Sequence, residues 1–262
     1  MLLRTQSFRD DVKRSNHAAR SERAAASMKR VIHSLLNTFG YEIQRLSWSA
    51  PRHRLKMMQQ LGINLVLDVG ANVGDYAFDL RRGGYKGRIW SYEPLHKAFG
   101  DLERAAAGDD LWKTVNCACG AQAGSAQINV AKNSVSSSLL PMLQACYANA
   151  PEAEYESHET ISICSLDDSI TPCLSSEEKV WLKVDTQGYE AEVLKGARRL
   201  IPHVQALECE LSLVPLYNGQ PLIDEMITLI YQLGFRMVGV APVFVAPETG
   251  YALQIDGTFL RV

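Results

Sequence analysis

The chain has 262 residues, of which 47% are hydrophobic and 21% are charged, and its formal net charge is -2. This is the composition of a globular protein with a full hydrophobic core, and it argues against a dedicated nucleic-acid-binding protein, so we expect no nucleic-acid partner. The six cysteines are scattered rather than spaced as a disulfide framework or a zinc site, so we expect reduced packing thiols and no metal site.

The positive charge is concentrated at the N-terminus, where residues 1–60 hold twelve Lys and Arg against four Asp and Glu. Residues 1–27 contain few large apolar side chains and lack the continuous apolar core of a signal peptide, which predicts a basic, disordered tail. No stretch approaches the ~18 consecutive apolar residues that a membrane-spanning helix needs. We therefore expect a cytoplasmic protein.

Residues 28–60 are predicted to form a helical N-terminal extension. Apolar residues recur at helical spacing from Met28 to Phe39, and Gly40 closes this helix. The favoured interpretation is a helix that packs across the following domain. The alternative is an amphipathic helix whose basic polar face contacts a membrane surface or a partner. A second helix is predicted over about Pro51 to Gln60.

The first predicted strand, Ile63 to Val69, is apolar on both faces and therefore belongs in the middle of a covered sheet. It breaks at Gly70, Asn72 and Gly74 before a helix begins. Glycine and asparagine tolerate left-handed backbone conformations, and such a turn can bring N–H groups to a ligand at a helix N-terminus. An ordinary connection between strand and helix is the alternative.

The second predicted strand, Gly87 to Tyr92, ends at Glu93 and Pro94. Glu93 lies 23 residues after Gly70, close to the ~20 at which dinucleotide-binding folds place a carboxylate on ribose hydroxyls. Alternatively, Glu93 caps the predicted helix from Leu95 to Ala107, with Pro94 at its first position. The two roles are compatible.

A third strand is predicted from Trp112 to Ala118, followed by a β-like run from Ala126 to Ala131. The polar loop from Lys132 to Leu140 then falls between core strands, where it serves either as a solvated connection or as a binding lid. Residues 141–157 are predicted to form a short helix and a loop. The next strand is predicted over Thr160 to Leu166.

The next buried strand, Val180 to Asp185, continues through a glycine turn into a helix predicted to end near Leu200. Asp185 stands at the carboxyl end of this strand, where open α/β sheets bind ligands. Lys183 is a charged residue inside an apolar strand, so we expect it to be paired or functional.

The strand from Val204 to Leu211 carries Glu208 and Glu210, whose spacing of two places them on one face. A helix is predicted from Leu222 to Leu233. Two closing strands follow, Phe235 to Ala241 and Leu253 to Val262. The alternation of strands and helices predicts a mostly parallel sheet with helices on both sides.

Four motifs together resemble the FkbM family of S-adenosylmethionine-dependent O-methyltransferases. They are the segments Asp68–Gly74, Tyr92–Pro94, Ser165–Asp167 and Leu182–Ala197. The glycine turn alone is common to many nucleotide enzymes, whereas its combination with the last segment, in this order and spacing, is specific. The resemblance covers about residues 60–262 and extends to the preceding Gly40–Ile43.

The resemblance implies a Rossmann-like class I methyltransferase fold over residues 61–262, with a seven-stranded, mostly parallel sheet and an antiparallel last strand. It also implies S-adenosylmethionine as the methyl donor. The implied donor-binding residues are Asp68, Gly70, Ala71, Asn72, Gly74, Tyr76, Glu93, Pro94, Asn116 and Cys117. Asn72 replaces the middle glycine of the general methyltransferase pattern, although Gly-Ala-Asn-x-Gly is what this family shows.

The expected reaction is methyl transfer to a hydroxyl of a sugar, a glycan or a related natural product. A carboxylate or histidine near that hydroxyl would help to remove its proton. Asp185 is the first candidate, and the full set is Asp185, Glu190, Glu208, Glu210 and His158. Two close carboxylates can also bind a divalent cation, but no ligand spacing here is diagnostic, so no metal site is predicted.

Two other functional classes remain open from the sequence. An oxidoreductase that binds NAD would use the same kind of turn, but the third glycine of its motif is missing because position 75 is Asp. A non-catalytic binding protein with the same fold is the second alternative. Acceptor specificity is expected to lie in the loops 132–160 and 212–222.

Overall fold

The computed structural model describes residues 50–262 continuously and, before them, residues 27–28, 31–32, 34–36 and 38. The chain divides into two compact units, 1–49 and Ala50–Val262. The described residues of the first unit are helical, and the apolar side chains of Met28, Val31, Ile32 and Leu35 are exposed. The predicted basic tail, apart from its last residue, lies outside the described residues. The packing of the first helix stays a prediction.

The second unit contains ten strands and seven α-helices. The helices are α1 (Ala50–Leu61), α2 (Asp75–Arg82), α3 (His96–Ala106), α4 (Gln144–Asn149), α5 (Leu166–Ser169), α6 (Glu190–Lys195) and α7 (Ile223–Gln232). The strands are β1 (Leu65–Val69), β2 (Arg88–Tyr92), β3 (Trp112–Val115), β4 (Ala118–Cys119), β5 (Gly124–Ala131), β6 (Tyr155–Cys164), β7 (Val180–Val184), β8 (Val204–Ser212), β9 (Phe235–Val245) and β10 (Ala252–Arg261). Among the described helices, none is long and apolar enough to cross a membrane.

Seven strands form the main sheet in the order β3-β2-β1-β7-β8-β10-β9. The first five pair in parallel, whereas β10 runs antiparallel to both β8 and β9. The predicted mostly parallel seven-stranded sheet with an antiparallel last strand is therefore confirmed. β1 and β7 lie side by side at its centre, because their apolar side chains need cover on both faces.

Hydrophobic clusters cover the two faces of this sheet, as the side-chain alternation along β1 requires. On one face Leu65 and Leu67 pack in the same cluster as Val193 of α6 and Met226 of α7. On the other face Val66 belongs to a cluster formed by α1, α2 and α3. The predicted placement of helices on both faces is thereby confirmed.

A second, three-stranded sheet in the order β4-β6-β5 was not predicted as a separate unit. The predicted third strand from Trp112 to Ala118 is wrong in its second half, because the chain turns at Asn116 and leaves the main sheet. The Cys117 N–H donates to the Val115 carbonyl at 3.1 Å in this turn. β4 then pairs in parallel with the end of β6.

Three further element boundaries differ from the prediction. β6 starts at Tyr155, earlier than predicted. The sequence did not indicate this, because the first half of the strand is polar and exposed and has the sequence character of a loop. Leu166 begins α5, where the Ser165 hydroxyl accepts from the Asp168 N–H at 3.1 Å. α6 ends at Lys195 rather than near Leu200. The chain meets another segment at this point, since a Cβ on Gly196 would lie 2.0 Å from the Gly120 carbonyl oxygen.

Candidate active site

The turn between β1 and α2 has left-handed backbone angles at Gly70 (φ 79°), Asn72 (φ 47°) and Gly74 (φ 95°). A Cβ on Gly70 would lie 1.8 Å from the Asp185 carbonyl oxygen, and one on Gly74 would lie 2.9 Å from Leu102. Both glycines are therefore required by the backbone angles and by contacts within the protein. The left-handed conformations that the sequence predicts for this turn are therefore present at all three positions.

Glu93 joins this turn to the start of α3. Its Oε2 accepts from the Asn72 N–H at 2.9 Å and its Oε1 accepts from the Leu95 N–H at 2.9 Å. Burial raises the pKa of Glu93 to about 7, although both N–H groups lower it. The predicted capping role of Glu93 is wrong, because Leu95 is the N-cap of α3, no side chain caps this helix, and Pro94 precedes it.

A first cleft opens at the carboxyl ends of β1, β2 and β7, with about 680 Å³ of space that is partly open to solvent. Five of the predicted donor-binding residues line it: Gly70, Asn72, Glu93, Pro94 and Cys117. Apolar side chains line it as well, among them Leu95, Ala118, Ile128 and Leu139. This combination of a carboxylate, a polar turn and an apolar wall fits a ligand with a hydroxylated ring and a flat apolar group.

The other predicted donor-binding residues do not line this cleft, and their contacts are with neighbouring parts of the protein. The Asn116 Nδ2 donates to the carbonyl oxygens of Glu93 at 2.8 Å and Pro94 at 3.0 Å. Asp68 is fully buried and accepts from the Ser91 hydroxyl at 3.3 Å. Ala71 donates its N–H to Tyr92, Gly74 packs on α3, and Tyr76 contacts Glu208.

The polar loop Lys132–Leu140 forms part of the wall of the first cleft through Ser134, Val135, Ser137, Ser138 and Leu139. The Asn72 Nδ2 donates to the Ser134 hydroxyl at 3.1 Å, and the Ser138 hydroxyl donates to the Gln187 carbonyl at 2.7 Å. The loop is therefore attached to the turns that follow β1 and β7. The loop therefore lies where the sequence predicts either a solvated connection or a binding lid.

A second cleft, with about 710 Å³ of space partly open to solvent, adjoins the first. Its walls are Asn133, Val135, Ser136, Cys146, Ala150, Glu152, Asp185, Gln187, Glu210, Tyr217, Val243, Phe244 and Gln254. Asp185, Gln187 and Val135 line both clefts. The turn after β7 thus forms the boundary between the two.

Glu210 is held in the second cleft by two amide groups. Its Oε2 accepts from the Gln187 Nε2 at 2.8 Å and from the Gln254 Nε2 at 2.7 Å. Burial and the nearby charge of Asp185 raise the pKa of Glu210 well above its usual range. A carboxyl group with a raised pKa is a better proton acceptor once it is ionised.

Lys183, flagged in the sequence as paired or functional, is paired. Its Nζ donates to the Gly70 carbonyl at 3.0 Å and lies 3.3 Å from Asp68 Oδ1 and 3.4 Å from Asp185 Oδ2. Burial opposes the charge on Lys183, but Asp185 and Asp68 outweigh it and raise the pKa, so the side chain is a cation at neutral pH. Lys183 connects the turn after β1 to Asp185.

Glu190 is buried and lines neither cleft. Its Oε1 accepts from the Thr186 N–H at 2.8 Å, the Thr186 hydroxyl at 3.2 Å and the Gly188 N–H at 3.1 Å. Burial raises the pKa of Glu190 to about 7, while these backbone donors lower it. Glu190 therefore holds the turn that carries Asp185.

Two further candidate bases also lie outside the two clefts. Glu208 is buried and accepts from the Arg54 Nε at 2.7 Å and from the Tyr76 hydroxyl at 2.9 Å. His158 is an exposed residue in the middle of β6. The structure brings Asp185 and Glu210 together and leaves Glu208 and His158 elsewhere.

All six cysteines are free thiols, and Cys117 and Cys119 line the first cleft. Within residues 50–262 and the few described before them, no group of three or more His, Cys, Asp or Glu side chains is arranged to hold a metal ion.

Sequence reasoning gave no individual role to four side chains at the two clefts, Ser134, Gln187, Tyr217 and Gln254, and it included Ser134 and Tyr217 only as members of the loops 132–160 and 212–222. Gln187 stands inside a motif segment, but a neutral amide gives no titration argument. Tyr217 and Gln254 are distant in sequence from Asp185, and only the fold shows that they share a cleft with it. Nothing in the local sequence predicts the left-handed backbone conformation of Gln187, which precedes a glycine.

Solved structures give distant matches. They include magnesium protoporphyrin IX methyltransferase from Synechocystis PCC 6803 with bound SAM (13% identity, 89% of this chain and 97% of that chain, TM-score 0.42). They also include 1,6-didemethyltoxoflavin-N1-methyltransferase from Burkholderia thailandensis (12%, 92% and 90%, 0.42) and an rRNA methylase from Streptococcus thermophilus (9%, 82% and 98%, 0.44). Comparison with curated proteins gives no significant match. These similarities are too low to support an argument.

The family comparison is decisive, because it covers the turn after β1, Glu93, the loop, Asp185 and both glutamates of β8. The family model described as "Methyltransferase FkbM domain" matches residues 68–237, more than half of the chain. The chain therefore belongs to the FkbM family of S-adenosylmethionine-dependent methyltransferases, as its sequence motifs predict.

Proposed function

We propose that this protein is an O-methyltransferase that acts on a hydroxyl of a sugar, a glycan or a related natural product. The observation that carries the proposal is the position of Asp185, which lines both clefts. A methyl donor in the first cleft and an acceptor in the second would meet at this carboxylate. It is the group best placed to receive the proton of the acceptor hydroxyl.

The residues of the first cleft fit S-adenosylmethionine, which supplies an electrophilic methyl group when bound. Glu93 is a buried carboxylate at the end of β2, where ribose hydroxyls are held in related nucleotide folds. The apolar wall that includes Leu95, Ala118 and Ile128 suits a flat base. Asn72 and the loop residue Ser134 complete the polar side.

The proposed transfer forms one oxygen–methyl bond while the sulfur–methyl bond breaks, and the hydroxyl proton passes to Asp185. The hydroxyl must be held on the far side of the methyl group, so positioning contributes much of the acceleration. Lys183 and Gln187 fix the two oxygens of Asp185 by contacts of 3.4 Å and 3.0 Å. Glu210 is the second candidate base, because it lines the acceptor side only.

The second cleft supports a polyhydroxylated acceptor. Its polar walls carry planar or hydroxyl groups, from Asn133, Ser136, Tyr217 and Gln254, and Phe244 adds an apolar surface. Amides and carboxylates exchange hydrogen bonds with neighbouring hydroxyls, and an aromatic ring covers the apolar face of a sugar.

Two measurements test this function. Calorimetry should show that S-adenosylmethionine and S-adenosylhomocysteine bind the wild type, and that Glu93→Ala weakens binding. Tritiated S-adenosylmethionine should then label a member of a panel of methyl glycosides, with NMR locating the new methyl group on oxygen. We expect Asp185→Asn to reduce transfer at least a hundredfold while it retains donor binding.

Failure to bind either donor compound would refute the proposal. A product methylated on nitrogen or carbon, or undiminished transfer by Asp185→Asn, would refute the assigned chemistry. Donor binding without transfer to any acceptor would favour a non-catalytic binding protein.

A further inference from the structure

Gln187 has an unusual backbone conformation for a residue with a side chain. Its φ is 53°, in the left-handed region, and it is followed by Gly188 with φ 95°. A side chain in this region carries backbone strain that glycine avoids. Strain of this kind persists where the surrounding contacts require the residue. The side-chain contacts of Gln187 therefore indicate its role.

The carboxamide of Gln187 is fully engaged. Its Nε2 donates to Asp185 Oδ1 at 3.0 Å and to Glu210 Oε2 at 2.8 Å, while its Oε1 accepts from the Tyr217 hydroxyl at 2.7 Å. Each of these carboxyl oxygens accepts a hydrogen bond, so both protons of Nε2 are engaged here. One neutral nitrogen therefore joins Asp185 and Glu210, two of the three carboxylates that line the second cleft.

The charges around this pair favour such a bridge. The charged form of Glu210 is disfavoured by Asp185, which follows β7, by Glu190 of α6 and by Asp256 of β10, and it is favoured by Lys183 of β7. Like charges at short range repel, so these neighbouring acids disfavour ionisation of Glu210. An amide that donates to both carboxylates offsets this repulsion without adding charge.

We propose that Gln187 is the positioning residue of the methyl transfer, which holds Asp185 and Glu210 as a pair at the boundary between the two clefts. The inference rests on the proposed function. Gln187 acts through Asp185, whose two oxygens are fixed by Gln187 on one side and by Lys183 on the other. The Ser138 hydroxyl, which donates to the Gln187 carbonyl, ties the loop to the same residue.

Two variants of the full chain separate positioning from space filling. Gln187→Met has a similar length but no donor, so it leaves the carboxylates unbridged. Gln187→Glu donates to a carboxylate only when protonated, so it should replace the amide in part at pH 5.5 and repel both acids at pH 8. Gln232→Met, at an exposed glutamine of α7, is the matched control.

The first readout needs no acceptor. Crystal structures with S-adenosylhomocysteine should show the Asp185 carboxylate displaced by more than 1 Å in Gln187→Met and unmoved in Gln232→Met. Thermal unfolding of Gln187→Glu should match the wild type at pH 5.5 and occur several degrees lower at pH 8. An unmoved Asp185, or the same pH dependence as the wild type, would overturn the proposal.

The second readout is the rate of methyl transfer to a methyl glycoside that the wild type modifies. We expect Gln187→Met to lower kcat at least tenfold at pH 7.5 with the KM for the donor within threefold, and Gln187→Glu to recover activity relative to the wild type as the pH falls. A wild-type kcat in Gln187→Met would overturn the proposal. Absence of transfer by the wild type would count against the O-methyltransferase assignment alone. The role of Gln187 is tested independently, by the position of Asp185 in the crystal structures of the variants.

Discussion

The partners of each carboxylate determine what it can do in this protein. Asp185 and Glu210 face open clefts, whereas Glu190 is used by its own turn and Glu208 by Arg54 and Tyr76. Asp185 follows β7, Glu190 begins α6, and Glu208 and Glu210 both lie in β8, so the sequence offers all four as neighbours of the same sheet edge. The difference in their availability comes from hydrogen-bond donors on other elements.

Replacement of Glu190 by glutamine should make the protein more stable at alkaline pH. Glutamine retains the oxygen that accepts from Thr186 and Gly188 but carries no charge. Burial raises the pKa of Glu190 to about 7. In the wild type the folded state therefore binds more protons than the unfolded state from about pH 4.5 to 7, and stability is lost as the pH rises through this interval.

The measurement for Glu190→Gln is thermal unfolding at pH 5 and pH 8. The Tm of the variant minus that of the wild type should be larger at pH 8 by roughly 5 °C. The hydrogen-bonding control is Glu190→Met, which loses the acceptor oxygen and should be destabilised at both pH values. An equal Tm difference at the two pH values for Glu190→Gln would contradict this account.

At this scale the sequence predicts residue type and position better than it predicts contact. Lys183 was recognisable as a buried charge that needs partners, and Asp68 and Asp185 proved to be those partners. The bond from Arg54 to Glu208 joins residues that are 154 positions apart. Such pairs depend on how α1 crosses the sheet, and no local pattern specifies that.

The turn after β1 shows how two connections share one small space. Gly70 lies against the backbone of Asp185, so the turns after β1 and β7 are in direct contact. Gly70→Ala would place a methyl group 1.8 Å from a carbonyl oxygen and must move one of the two turns. We expect a loss of several kcal/mol of stability, because strain adds to a steric clash with backbone.

Gly84→Ala is a matched control for this prediction. Gly84 has φ 96° and no atom within 4 Å of the position of a Cβ, so its replacement carries the backbone cost alone, about 1–2 kcal/mol. Urea unfolding of both variants separates the terms. Equal losses in the two variants would mean that the turns move apart freely, and donor affinity should then survive in Gly70→Ala.

The elements that were predicted well are those with an unambiguous apolar pattern. β1 and β7 are apolar except for one charged residue each, and their observed bounds lie within about two residues of the predicted ones. The second sheet was missed because β4 has two residues and β6 is polar along its exposed half. Pairing with neighbouring strands, rather than local sequence, makes these segments strands.

At the scale of the whole molecule, the strand order places the site. β1 and β7 are neighbours in the sheet, yet the chain leaves β1 towards β2 on one side and leaves β7 towards β8 on the other. Ligands bind at such a reversal of strand order, outside the carboxyl ends of the strands. Gly70, Glu93 and Asp185 all follow the ends of these strands, and this placement was predictable from motif order alone.

The N-terminal boundary of the catalytic unit is a property of the whole molecule, and its predicted position differs from the observed one. Sequence analysis assigns residues 28–60 to an extension, whereas the structure groups α1 with the sheet. Met58 of α1 is buried in the cluster that contains Val66 and Trp181. Arg54 supplies the cation for the buried carboxylate of Glu208.

A chain of residues 50–262 should accordingly unfold at a higher temperature than a chain of residues 62–262. Removal of α1 uncovers part of one apolar face of the sheet and leaves Glu208 buried without its cation, a loss that costs about 3–5 kcal/mol by itself. Within residues 50–262, Arg54→Met should be strongly destabilised, and the added change Glu208→Gln should recover part of the loss because it removes the uncompensated charge. Equal unfolding temperatures for the two truncated chains, or no recovery in the double variant, would show that α1 is dispensable and that the catalytic unit begins at β1.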